Sequence, residues 1–406
     1  LIDYVLPLGL MIFLYGYSNL FRGFLFGFKK FKDLAILRII NALSYILSIL
    51  FVVTLFSWTI KSVIWGILLH GITYLIGVIL LVWYEFKKNQ IMSRFIINRR
   101  LVWELLQQGG FFILGNILYN IFTRIDLLIM PLYVPDKVIG YYSFAKNIIM
   151  RLRFLFNKLN NLLYPVFSGH SFNNVNISVA NNILAYGVHF SVLYSAPIAI
   201  LFAFFAKDII LIINYFIAIK AYTYSSVFLS IFSFLIISYA LSSVIVAYYT
   251  GLGKLDKLLK ANTLLVGAAL ILIPSLTYLL GAVGTSVGYV VAQYIATSYW
   301  VIKTIGDKKI SRNEIILPVF FSMILGFLMK IMVNSIYSYY QYTSILFLPI
   351  VIVYVFITLI VYIRARLLTE KDIMILGKLL ESNILGRKVF RIINALYKAT
   401  KGCEKF

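Results

Sequence analysis

NIFTRIDLLIM, residues 120–130, places Arg124 and Asp126 two positions apart inside an apolar run that extends from Phe111 to Tyr133. A run of about twenty such residues crosses a bilayer as a helix. A charge at that depth is costly and needs a partner or a water-filled space. Helix positions i and i+2 point apart, so these two side chains cannot neutralise one another. What answers them has to come from other helices.

The rest of the chain is built in the same way. Of its 406 residues, 62% are hydrophobic and only 13% charged, so no soluble fold of this size could hide the apolar surface. Apolar runs recur from end to end without the period-two alternation of a membrane barrel, which makes the chain an all-α polytopic membrane protein. The pattern predicts eleven spans: 4–26, 39–60, 62–84, 108–133, 138–167, 181–206, 222–250, 261–280, 282–302, 314–336 and 344–363. We read 1–104 as three helices of an N-terminal bundle, 105–302 as a six-helix bundle and 303–364 as two further helices. Residues 365–406 form a basic tail whose 375–398 stretch has the pattern of a surface-lying amphipathic helix.

The formal charge of +23 is first of all topological. With eleven spans, one side collects basic clusters at 29–38, 87–100, 254–260 and 303–312 together with the tail. The other side holds Lys61, Lys137, Lys207 and Lys220. Positive loops stay cytoplasmic, so the tail is expected inside a multi-pass chain of the cell membrane. The 168–180 connection belongs to the cytoplasmic side without carrying Lys or Arg, and its Asn176 sequon then faces away from glycosylation.

Seven cations remain within spans: Arg22, Arg124, Lys146, Arg151, Arg153, Lys158 and Lys330. Against them Asp126 is the one acid deep inside a span. On the 138–167 helix, Tyr142, Lys146, Arg153, Asn157 and Asn160 share a sector of roughly 60°, while Asn147, Arg151 and Lys158 form a second. Such density cannot face lipid, so this helix lines a cavity or a protein-buried groove. Lys146 to Lys158 covers roughly 18 Å of depth, a ladder of positive charge suited to an anionic passenger. Arginine's planar fork fits phosphate oxygens and lysine adds a point charge. Lys158 and Arg22 fit either the cavity or snorkelling to the interface, and Lys330 fits snorkelling better. Asp126 has two readings, a counter-charge to a neighbouring helix's cation or a coupling site for a proton or sodium ion. The thirty tyrosines could stack on sugars, although interfacial belts are their ordinary use.

Other chemistries find little support. Cys403 is a single cysteine, and His70, His170 and His189 have no ligand spacing, so neither a disulfide, a metal site nor a cofactor is expected. A polytopic glycosyltransferase or polymerase would need partnered external carboxylates, whereas Asp136 and Asp208 stand singly. A multidrug-type exporter of cations would want an acidic cavity, and nucleic acid is no partner for a chain of this hydropathy (mean +0.94). A faint repeat relates the basic turns near Gly27 and Gly251, and Gly66 to Gly288. On that offset three helices are expected upstream of Leu1.

NIFTRIDLLIMPLYVPDKVIGYYSFAKNI (120–148) resembles the signature of polysaccharide-export, O-antigen-type flippases of the MOP superfamily. The resemblance rests on Arg124, Asp126, Asp136, Gly140, Tyr141 and Ala145. NLLYPVFSG (161–169), with Pro165, is similar to the motif that follows in that family. It implies two bundles around a central cavity, with this chain matching a 14-helix fold from its fourth helix. It also implies alternating-access flipping of a polyprenyl-(pyro)phosphate-linked oligosaccharide to the outer leaflet, without catalysis. Membrane lipids, and glycosyltransferases or polymerases, would be its partners.

Overall fold

A computed structural model describes residues 2–27, 31–56, 60–88, 99–171, 177–217, 223–306, 313–339, 347–365 and 367–368. The basic tail with its 375–398 stretch, and Asn176, lie outside the described residues. So do the side chains of Arg22, Asn157, Lys158, Asn160 and Pro165. Twelve helices are found among the described residues: α1 (Ile2–Gly27), α2 (Phe31–Phe56), α3 (Ile60–Lys88), α4 (Arg99–Ile129), α5 (Asp136–Ser171), α6 (Ile177–Phe204), α7 (Ala206–Ile217), α8 (Ser225–Ser233), α9 (Leu235–Gly251), α10 (Leu255–Gly306), α11 (Asn313–Tyr339) and α12 (Phe347–Arg364). The expected spans correspond to α1–α6, to α8 with α9 across a break at Phe234, to two arms of α10, and to α11 and α12. The short α7 was not foreseen. It continues the chain after α6 beyond a one-residue turn at Phe205.

The chain divides into two compact units, Leu1–Asn98 and Arg99–Phe406. In the first, α3 packs on both α1 and α2. Leu25, Leu37, Tyr74, Val78 and Val82 form its core. Gly66 permits close packing: a Cβ there would stand 2.8 Å from the Ile49 Cα of α2. Beside it His70 is buried, with Nδ1 2.9 Å from Ser44 Oγ and the Tyr15, Tyr45 and Tyr74 rings around it. His70 is thus a core histidine of this unit.

The second unit owes its shape to one backbone reversal. Gly281, at φ 59 and ψ −140, folds α10 back on itself. That conformation is open to glycine and closed to residues with a Cβ. The two arms then close tightly: Thr277 and Thr285 hydroxyls meet at 2.8 Å, and a Cβ on Gly288 would lie 3.0 Å from Leu272 O. Small residues at such crossings are how membrane helices gain packing where lipid removes the hydrophobic drive. Around the arms, α4, α5, α6, α8 and α9 share one core, which includes Phe122, Tyr142, Phe232, Tyr248 and Tyr289. Outward-facing Leu128, Leu132, Ile271, Tyr278 and Phe320 remain exposed, as lipid contact requires. Polar pins add register: Asn262 Nδ2 donates to Gly115 O at 2.8 Å, and the Ser238 and Thr297 hydroxyls meet at 2.6 Å.

At the end of the chain α11 and α12 lie against α6. Gly326 leaves no room for a side chain, because a Cβ would overlap Ile200 and Phe204 of α6. Tyr362 Oη donates to Pro318 O at 3.0 Å, and the His189 ring meets Leu367 O at 2.9 Å. Lys330, expected to snorkel, instead reaches Asp208 of α7 at 3.2 Å and lies over the Phe205 ring. Gly281→Ala should lower the thermal unfolding midpoint of the purified protein more than Gly267→Ala, because Gly267 has open space beside it and an ordinary helical backbone.

Candidate functional site

The α4–α5 junction is a pair of facing stripes. Tyr119, Thr123 and Asp126 follow the i, i+4, i+7 face of α4, and Tyr142, Lys146 and Arg153 follow one face of α5. The stripes run antiparallel, so Asp126 meets Tyr142 and Lys146 while Tyr119 meets Arg153. The turn between them is short because Pro131 and Pro135 punctuate it: a single tight helical turn spans Met130–Leu132, and α5 begins at Asp136.

Asp126 is fully buried. Its Oδ2 accepts from Lys146 Nζ at 2.5 Å and from the Tyr142 hydroxyl at 2.5 Å. Lys146 also donates to Thr123 O at 3.0 Å, and its ammonium lies 4.4 Å from the centroid of Tyr289 on α10. A carboxylate, a carbonyl and an aromatic face thus surround the lysine, which is 7% exposed. Burying an ion pair is costly, and it is repaid only where geometry is close and further hydrogen bonds fill the remaining positions. These conditions are nearly met here; Asp126 Oδ1 is the exception, buried and without a hydrogen-bond partner among the described residues. Lys146, foreseen as a substrate-facing cation, has its charge committed within the protein instead.

The other cations on these helices are treated differently. Arg124, Arg151 and Asn147 are exposed. Arg153 is half-buried, its guanidinium carbon 4.5 Å from the Tyr119 centroid and 4.8 Å from that of Tyr239 on α9. Tyr142 is wholly buried among Phe228 and Phe232 and serves Asp126. Tyr119, Tyr239 and Tyr289 escaped sequence reasoning. Tyr119 could have been found by extending the Asp126 stripe back two turns. Tyr239 and Tyr289 lie in apolar runs with no charge nearby in sequence and carry no local signal.

Residues 3–170 match the family described as polysaccharide biosynthesis protein. No curated protein matches the chain. Among solved structures, the fold is similar to that of "Lipid II flippase MurJ, inward closed conformation". The TM-score is 0.63 at 18% identity, covering 88% of this chain and 72% of that one. The family match contains the whole 120–169 motif. The solved structure shares the fold over most of this chain.

Truncating one partner of the buried pair leaves the other charge without its neutralising neighbour. Asp126→Asn and Lys146→Met are each expected to destabilise the folded protein by about 3–5 kcal/mol. The double variant should recover most of that loss in reversible unfolding. Additive losses would count against the pair as the organising contact.

Proposed function

We propose that this chain flips a polyprenyl-(pyro)phosphate-linked oligosaccharide from the cytoplasmic to the outer leaflet by alternating access. The observation that carries the reading is the unequal treatment of charge. Asp126 is consumed by Lys146, whereas Arg124 and Arg151 are exposed and Arg153 rests on aromatic rings with no carboxylate at salt-bridge distance among the described residues. Net positive charge therefore remains for an anionic group. A phosphate, with oxygens that match the guanidinium fork, is the natural occupant. Lys158 of α5 stays in this candidate set, and Arg22 of α1 stays a candidate read from the sequence alone. Asn147, Asn157 and Asn160 are assigned to sugar hydroxyls.

The two comparisons support the class of substrate: one names polysaccharide biosynthesis and the other a lipid flippase. A cytoplasmic basic tail, a coupling proton or sodium ion, and neighbouring glycosyltransferases or polymerases belong to the same proposal. A cation exporter fits less well, because the deep carboxylate such a passenger would use is already occupied by Lys146. An enzyme working through external carboxylates fits less well too, since Asp208 is engaged by Lys330.

The test is translocation of a fluorescent lipid-linked oligosaccharide by the full chain in proteoliposomes. Arg151→Ala combined with Arg153→Ala should slow it at least tenfold. A rate that survives both substitutions removes the cation ladder from the mechanism.

A further inference from the structure

Among the described cations of α4 and α5, Arg153 alone is held by aromatic rings from two other helices, α4 and α9. Tyr119 and Tyr239 also neighbour each other, and the Tyr239 hydroxyl lies 3.8 Å from Met150 Sδ, one turn before Arg153. Among the described residues no carboxylate and no hydrogen-bond acceptor engages the guanidinium. The contrast with Lys146 is instructive. That lysine is stabilised by a carboxylate, which cancels its charge towards any ligand. An aromatic face stabilises a cation through its quadrupole and brings no counter-anion. Rings therefore hold an arginine in place with its charge uncancelled and its N–H donors free.

We propose that Tyr119 and Tyr239 are positioning residues that keep Arg153 uncancelled as the seat of a phosphate or pyrophosphate headgroup. The inference rests on the lipid-linked reading of the function and names the contact within it. A guanidinium resting on ring faces offers its in-plane edge, and the ligand that uses such an edge best is a bidentate oxyanion. Lysine in the same place would present a point charge without that edge. The seat is specific to arginine and to flat neighbours, and it does not depend on the tyrosine hydroxyls.

The experiment is equilibrium binding by calorimetry to the full chain in detergent, with farnesyl diphosphate, farnesol and inorganic pyrophosphate as three separate probes. Farnesyl diphosphate is expected to bind at least tenfold tighter than farnesol. Arg153→Lys and the Tyr119→Leu, Tyr239→Leu double variant should each lose that advantage. The Tyr119→Phe, Tyr239→Phe variant should keep it. Retention by the Leu variant or by Arg153→Lys overturns the proposal, as does loss by a Phe variant that still unfolds cooperatively. Absence of any preference for farnesyl diphosphate over farnesol in the unsubstituted protein overturns it as well. If pyrophosphate binds as tightly as farnesyl diphosphate with the same ring dependence, the seat stands and its ligand is a free anion. Ring-dependent binding of farnesyl diphosphate without translocation in proteoliposomes keeps the seat and removes the flippase reading.

Discussion

A carboxylate buried in a membrane-spanning helix has to be answered by a cation, and the α4–α5 junction is organised by that requirement. Asp126 cannot use Arg124, which points elsewhere on the same helix, so its partner comes from α5. Lys146 brings with it Thr123 O, the Tyr142 hydroxyl and the Tyr289 face, and so binds α4, α5 and α10 at one point. In hydrocarbon, the alternative to this closed set is an unpaired charge, which is far more costly than any misfit in apolar packing. The antiparallel register of α4 and α5 follows, and with it the meeting of Tyr119 and Arg153 two turns away.

Asp208 and Lys330 repeat the rule on a smaller scale. A short helix after α6 and the middle of α11 are joined by a carboxylate that is 4% exposed and an ammonium resting on Phe205. Elsewhere the second unit relies on close approach between helices. Gly281 reverses α10, Gly288 lets its arms meet, and Gly326 admits α11 to α6. Ion pairs therefore hold the junctions where charge is present, and small residues hold those where it is not. Arg153 fits neither class: two tyrosine rings hold it, and among the described residues no carboxylate pairs with it.

The span pattern was legible because crossing a bilayer imposes a length and a composition that no other constraint mimics. Even the α10 hairpin could be read as two spans, since a run from Leu255 to Gly306 is too long for one. Less legible was α7, a twelve-residue helix lying in what reads as the end of one span and a loop. The candidate site was legible on α5, where polar residues at helical spacing mark a face that cannot meet lipid. It was illegible on α9 and α10, because Tyr239 and Tyr289 differ from belt tyrosines only in what packs against them.

By itself the sequence determined that the chain is an all-helical, many-span membrane protein with more cations than acids inside its spans. It also located the helix that carries them, since both conclusions follow from the cost of exposing polar groups to hydrocarbon. Only the tertiary structure decided which of those cations is spent and which is free. Lys146 and Arg153 stand two turns apart on one face of the same helix and read alike in sequence. Their fates differ because one faces a carboxylate on α4 and the other faces two tyrosine rings, and partners on other helices are contributed by the fold.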